Sequence, residues 1–170
     1  MADEISALAN SLFYGGILEN ASDQKRQAIP REELLLESRL VFFDVSDCVR
    51  GNTLSEGFSR VNPQLAKVSS LLARHYMQQD FSVGIITPCT AQAKEIRGNF
   101  LREELKDQVR ISTVHKFQGS EKDIILFEVA DSFPQKKPSV LVSGSRESFL
   151  KDNSPTLPLI NVALTRAKSQ

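Results

Sequence analysis

Apolar residues in the first segment, Asp3 to Tyr14, recur at Ile5, Leu8 and Leu12 on one helical face, behind an Asp3 cap and before the terminating Gly15-Gly16 pair. From Leu18 to Glu37 the chain turns polar and carries Pro30, which predicts a surface connection with a short turn of helix. Leu40-Val41-Phe42-Phe43-Asp44-Val45 is a continuous apolar run, the pattern of a strand buried on both faces, and Ser46 to Arg60 follows as a mobile polar stretch. Asn62-Pro63 is a helix start, because Asn caps the free amides and Pro is tolerated at the first helical position. The helix runs to about Gln79 with Leu65, Val68, Leu71, Leu72 and Tyr76 on one face. Val83 to Thr87 predicts a second core strand, closed by the Thr87-Pro88 step. A helix over about Ala91 to Leu105 would bury Ala93, Ile96, Phe100 and Leu101. Two further strands, Val109 to Val114 and Asp123 to Val129, flank a polar loop from His115 to Lys122. Ala130 to Pro158 holds four of the seven prolines and reads as a long connection, with a short strand at Ser139 to Val142 and a helical turn at Glu147 to Leu150. Leu159 to Lys168 returns to helical spacing through Ile160, Ala163, Leu164 and Ala167.

Alternation of strand and helix predicts an α/β fold with a mainly parallel sheet. A chain of 170 residues supplies one core, so a single domain is expected. With 41% hydrophobic and 25% charged residues it excludes collagen-like, disordered and coiled-coil classes. The 21 Lys and Arg cancel 21 Asp and Glu, so no bulk attraction to nucleic acid or to an anionic membrane exists and any phosphate contact is local. No apolar run is long enough to span a bilayer and no signal peptide opens the chain, which leads to the expectation of a cytoplasmic protein without a membrane partner. Cys48 and Cys89 form no CxxC and have no histidine at ligand spacing, so they are expected to be buried thiols, and no metal site is expected.

Three stretches lie just beyond predicted strand ends or in the last helix: Thr87-Pro88-Cys89-Thr90-Ala91-Gln92, Ser112 to Asp123 (STVHKFQGSEKD), and Asn161 to Lys168 (NVALTRAK). In this order and spacing they resemble motifs IV, V and VI of superfamily 1 helicases, in the branch of the nonsense-mediated-decay RNA helicase and the replication helicase-nuclease. Phe13-Tyr14-Gly15-Gly16-Ile17-Leu18 is similar to a segment of the same branch, so the resemblance covers nearly the whole chain. It implies a RecA-like P-loop NTPase fold, here the second, C-terminal RecA-like domain over 1–170. It further implies ATP with Mg2+ shared with a first RecA-like domain, single-stranded DNA or RNA as partner, and 5′-to-3′ travel.

By that resemblance Arg166 matches the arginine finger, whose planar charge stabilises the transition state of phosphoryl transfer. Gly119 and Glu121 match positions that approach the nucleotide, the carboxylate accepting from ribose hydroxyls, and Gln118 belongs to the same coupling loop. Thr87, Thr113 and His115 match positions beside the strand, where they bind phosphate without reading sequence. No Gly is followed by Lys, so the phosphate-cradling GxxxxGK[ST] loop is absent, and no strand ends in an Asp-Glu pair suited to magnesium. This chain alone is therefore expected not to hydrolyse ATP and reads as a domain excised from a longer parent. Ile160 before Asn161, and the Ser/Pro-rich segment from Phe133 to Pro158, depart from the family pattern.

Plainer readings stand beside these. Arg166 taken alone is a surface charge or a partner of the helix dipole, His115 a satisfied loop histidine, Thr113 a β-branched strand residue and Glu121 an ion pair with Lys122. Asp44 reads as a loop cap, Phe117 as a residue packed into the sheet, and Cys89 carries little weight as a nucleophile. The rival function is a non-catalytic RecA-like module that docks protein through Ser46 to Arg60 and Ala130 to Pro158. A nucleotide-binding regulator is a third.

Overall fold

The computed structural model describes residues 3–17, 19, 29–34, 37–45, 49, 54–56, 59–131 and 156–167. The Asn62-Pro63 start works as its chemistry dictates. Asn62 is extended, its Oδ1 accepts from the Leu65 N–H at 3.0 Å, and helix α2 runs from Pro63 to Met77. Strand β3 (Val83–Thr87) is buried along its whole length because it is central, with β4 (Val109–Thr113) on one side and β5 (Ile124–Phe127) on the other. Both pairings are parallel, with Val83 opposite Val109 and Ile124. A strand paired on both edges and covered on both faces has no polar side to show, which is why its sequence does not alternate.

Two apolar layers sandwich this sheet. On one face Val83, Ile85, Val109 and Ile111 pack against Ala66, Ala73, Tyr76 and Met77 of α2 and Ala93 and Ile96 of α3 (Thr90–Gly98). On the other face Ile86 joins Val114 and Phe117 of the one-turn helix α5 (Val114–Phe117) and Ala163 of α6 (Thr156–Leu164). Gly84 makes this second layer possible, since a Cβ there would sit 2.5 Å from Phe117 Cζ and 2.7 Å from Ile125 Cδ1. The N-terminal helix α1 (Asp3–Ala9) continues into a π-helical turn at Asn10–Tyr14 and stops at Gly15, whose φ of 62° is left-handed.

Four expectations need correction. The Leu40–Val45 run forms no strand: it has no ladder partner among the described residues, and Phe42 is 90% exposed rather than buried. The expected Ala91–Leu105 helix is two helices, α3 and α4 (Arg102–Asp107), because Gly98-Asn99 breaks it; Leu101 is outside and caps α4, its backbone N–H donating to the Glu104 carboxylate at 2.7 Å. Leu71, assigned to the buried face of α2, is 68% exposed. Ser46–Arg60 contains an antiparallel pair, β1 (Leu54–Glu56) with β2 (Ser59–Val61). The polar loop before β5 also begins with the turn α5, in which Phe117 is fully buried, as its packing reading required. Cys89 is buried as expected, whereas Cys48 and the segments expected at Ser139–Val142 and Glu147–Leu150 lie outside the described residues.

Candidate functional site

Parallel pairing brings the ends of β3 and β4 to one edge of the sheet, where ligands of open α/β folds gather. Thr87 and Thr113 are register partners there, and His115 follows two residues on, exposed on α5. Their surroundings differ. Thr87 is fully buried and its Oγ1 accepts from the Cys89 N–H at 3.3 Å, which turns the hydroxyl inward. Thr113 is half-buried at the mouth of α5, with no capping bond from its side chain. Of the three, His115 is the most open to a ligand.

A second group forms where the chain returns from α5 to β5. Gln118 ends α5 and is exposed; Gly119 takes φ +77°, a conformation that disfavours a side chain, although a Cβ there would meet no atom within 4 Å. Within the chain itself, glycine is thus required for the turn and not for clearance from other protein atoms. The turn closes with Ser120 N–H donating to the Phe117 carbonyl at 3.1 Å, leaving Glu121 exposed. Next, Lys122 N–H donates to the Arg166 carbonyl at 3.3 Å, and Lys122 and Ala167 form a parallel bridge. Stretches far apart in sequence, Glu121-Lys122 and Arg166-Ala167, are therefore neighbours. Arg166 lies back along its own helix, Nε donating to the Val162 carbonyl at 3.2 Å and Nη2 to Thr165 Oγ1 at 3.2 Å. Thr165 Oγ1 in turn donates to the Asn161 carbonyl at 2.9 Å, so the guanidinium rests on a helical turn held by its own hydroxyl. Asn161 Nδ2 donates to the Tyr14 hydroxyl at 2.7 Å, joining the N-terminal segment to α6, while its Oδ1 is buried without a partner.

Comparison with known proteins gives the family. The AAA domain family model matches residues 1–170. The chain is 30% identical over 178 residues to Helicase sen1 of Schizosaccharomyces pombe, covering 99% of this chain and 10% of that protein. It is 30% identical over 193 residues to DNA replication ATP-dependent helicase/nuclease DNA2 of Xenopus laevis (99% and 17%), and 26% over 176 residues to Regulator of nonsense transcripts 1 homolog of Neurospora crassa (96% and 15%). The chain belongs to the AAA domain family, among the superfamily 1 helicases. It spans between a tenth and a fifth of the length of these relatives. Its parallel sheet with helices on both faces is the RecA-like P-loop NTPase fold.

This helicase-family domain also holds a polar network that its sequence did not announce. Gln92, fully buried in the first turn of α3, accepts the Asn62 N–H on Oε1 at 2.6 Å and donates from Nε2 to the Asn62 carbonyl at 3.2 Å, tying α3 to the cap of α2. Glu128, just past β5, accepts the Ala130 N–H on Oε1 at 2.6 Å, but its buried Oε2 has no partner. Burial pushes its carboxyl up to about 7; the Gln92 side chain and the Ala130 N–H oppose this, and the Asp131 charge adds to it. Burial likewise raises the Cys89 thiol, which keeps it protonated and inert. Arg60 of β2 pairs with Asp131 and brings the hairpin to the same corner. The one sequence signal for Glu128 was a charge continuing an apolar strand. Among the described residues no group of three or more His, Cys, Asp or Glu could hold a metal, and no helix is long and apolar enough to cross a membrane.

Proposed function

We propose that this chain is the second motor domain of an ATP-dependent DNA or RNA helicase, a C-terminal RecA-like domain over 1–170 within a longer protein. It supplies the arginine finger, Arg166, and half of the single-strand track. The observation that carries the reading is the Lys122–Ala167 bridge, which sets the turn bearing Gln118, Gly119 and Glu121 beside Arg166. A nucleotide site needs these two elements adjacent, one at the sugar and one at the terminal phosphate.

The side chains suit half of such a site. Glu121 is an exposed carboxylate able to accept from ribose hydroxyls, the left-handed Gly119 turn lets backbone come close, and the Arg166 Nη1 makes no hydrogen bond among the described residues. ATP with Mg2+, when bound, supplies the phosphoanhydride bond to be cleaved; the metal's ligands and the phosphate-cradling loop belong to a first RecA-like domain. To reach the phosphate, Arg166 would have to leave the Val162 carbonyl and the Thr165 hydroxyl. Thr113 and His115 bind the strand's phosphates at the far edge of the sheet, Thr87 contributing once its hydroxyl turns outward, and zero net charge leaves these contacts weak enough to release in each cycle. The relatives' names, a helicase/nuclease of DNA replication and a regulator of nonsense transcripts, support motor work on either polymer.

The test is ATP hydrolysis by this chain and by a longer protein joining it to a first RecA-like domain, each with and without single-stranded DNA or RNA. Turnover confined to the longer protein and accelerated by a strand supports the proposal, and the better accelerator identifies the substrate. Absence of turnover in both under every condition removes it in favour of the non-catalytic binding module.

A further inference from the structure

At the beginning of β4, opposite the edge that carries Thr87 and Thr113, the surface opens into a cleft of about 440 Å³ between the end of α4, the first residues of β4 and the Ser120–Lys122 turn. Lys106 of α4, Arg110 of β4 and Lys122 line it, together with Ser120 and one acid, Glu121. Three cations against one carboxylate leave an excess of positive charge in a chain whose total is zero. Among the described residues none of the three cations is ion-paired, although carboxylates are as numerous as cations. Such a concentration of unneutralised charge in a concave surface raises the local concentration of anions.

Arg110 is also held in position. Its Nη2 donates to the Lys116 carbonyl at 3.0 Å, and its guanidinium lies 5.4 Å from the centre of the buried Phe117 ring. A guanidinium fixed by one bond and one ring keeps its other N–H groups for a ligand at little entropic cost, and its planar fork matches phosphate oxygens. Ser120 adds a hydroxyl, and the apolar lining is confined to Leu105 and Val109. The cleft therefore suits a small, multiply charged anion and not an apolar molecule.

We propose that this cleft binds a phosphoryl group, as free inorganic phosphate or as the phosphate of a nucleotide, through Lys106, Arg110 and Lys122. The choice of phosphate over other anions rests on the proposed nucleotide role of the adjoining Glu121 and Arg166; the charge and the geometry do not. Because the Lys122 N–H holds the Arg166 carbonyl, an anion on the Lys122 side chain is coupled through the backbone to the finger.

The experiment titrates the 170-residue chain with orthophosphate and, separately, with ADP, at constant ionic strength made up with chloride, following backbone amides and arginine Nε–H groups by heteronuclear NMR. Saturable shifts are expected at Arg110 and Ser120–Lys122, with affinity about tenfold weaker in Arg110→Gln and in Lys122→Gln. Lys106→Gln, at an exposed position clear of the Phe117 contact, is expected to weaken binding as well and separates ligand loss from misfolding. Saturation by orthophosphate at least as tight as by ADP assigns the cleft to the free ion; tighter saturation by ADP assigns it to a nucleotide. Shifts that do not saturate, or that all three variants leave unchanged, overturn the proposal. Turnover by the longer protein is a separate readout: lost turnover with phosphate binding intact removes the motor reading alone, and the reverse removes the cleft alone.

Discussion

Glu128 offers a perturbation whose size can be worked out. Its carboxyl ordinarily ionises at 4.5 and is held up to about 7 in the folded chain by burial. Below the lower value it is protonated in both states and costs nothing. As pH rises, the unfolded chain ionises first, so folding must retain a proton that the unfolded chain releases. Stability then falls by about 1.4 kcal/mol per pH unit until the folded value is passed. The whole loss is about 3 kcal/mol, roughly a few hundredfold in the folding equilibrium, and it is complete by about pH 8. Glu128→Gln removes the titration and keeps an oxygen to accept the Ala130 N–H, beside the Gln92 side chain. Urea unfolding of both proteins at about pH 5 and about pH 8 measures the effect, and other titrating groups cancel in the difference. The variant is expected to match the parent within about 1 kcal/mol at the lower pH and to exceed it by about 3 kcal/mol at the higher. A difference that does not change with pH would falsify the burial argument.

Two further predictions concern packing and capping. Gly84→Ala places a methyl group against Phe117 and Ile125, and because Phe117 is fully buried between the sheet and Arg110 it cannot move aside freely; a loss of about 1–3 kcal/mol in thermal or urea unfolding is expected, and an unchanged midpoint would mean that the second layer is loosely packed. Asn62→Ala removes the acceptor of the Leu65 N–H and is expected to cost about 1–2 kcal/mol, with faster hydrogen exchange in the first turn of α2 as its signature; uniform exchange across α2 would contradict the capping role.

How much of this was legible in the sequence depended on whether the signal was local. Asn62-Pro63 carries its own reasons for starting a helix, and the apolar Val83–Thr87 run could be read as a buried strand because the Thr87-Pro88 step bounds it, while Val109–Thr113 is rich in β-branched residues around the buried Val109 and Ile111. Leu40–Val45 has the same composition but no ladder partner among the described residues, and composition cannot supply one. The break in the Ala91–Leu105 helix was written in Gly98-Asn99, which the periodicity on either side concealed. Strands as short and polar as Leu54–Glu56 and Ser59–Val61 have no period to detect.

At the site, the motif residues were identifiable by resemblance, but their surroundings were not. Nothing in the linear chain indicated that Thr87 would be closed off, that Arg166 would fold back on Val162 and Thr165, or that Lys122 would meet Ala167. These are long-range contacts or side-chain orientations, fixed only when the elements pack. The buried Asn62–Gln92 pair and the isolated Glu128 oxygen are of the same kind.

The central claim is that Arg166 acts on a phosphate while Thr113 and His115 hold the strand, and one comparison addresses it most directly. In the longer protein, Arg166→Ala is measured for strand-stimulated ATP hydrolysis and, without nucleotide, for single-strand binding. Turnover is expected to fall by at least about a thousandfold, with strand affinity within about twofold of the parent, and Arg166→Lys should not restore turnover because an ammonium lacks the planar fork. Turnover that stays within a few-fold of the parent, or a loss of strand binding as large as the loss of turnover, would contradict the account.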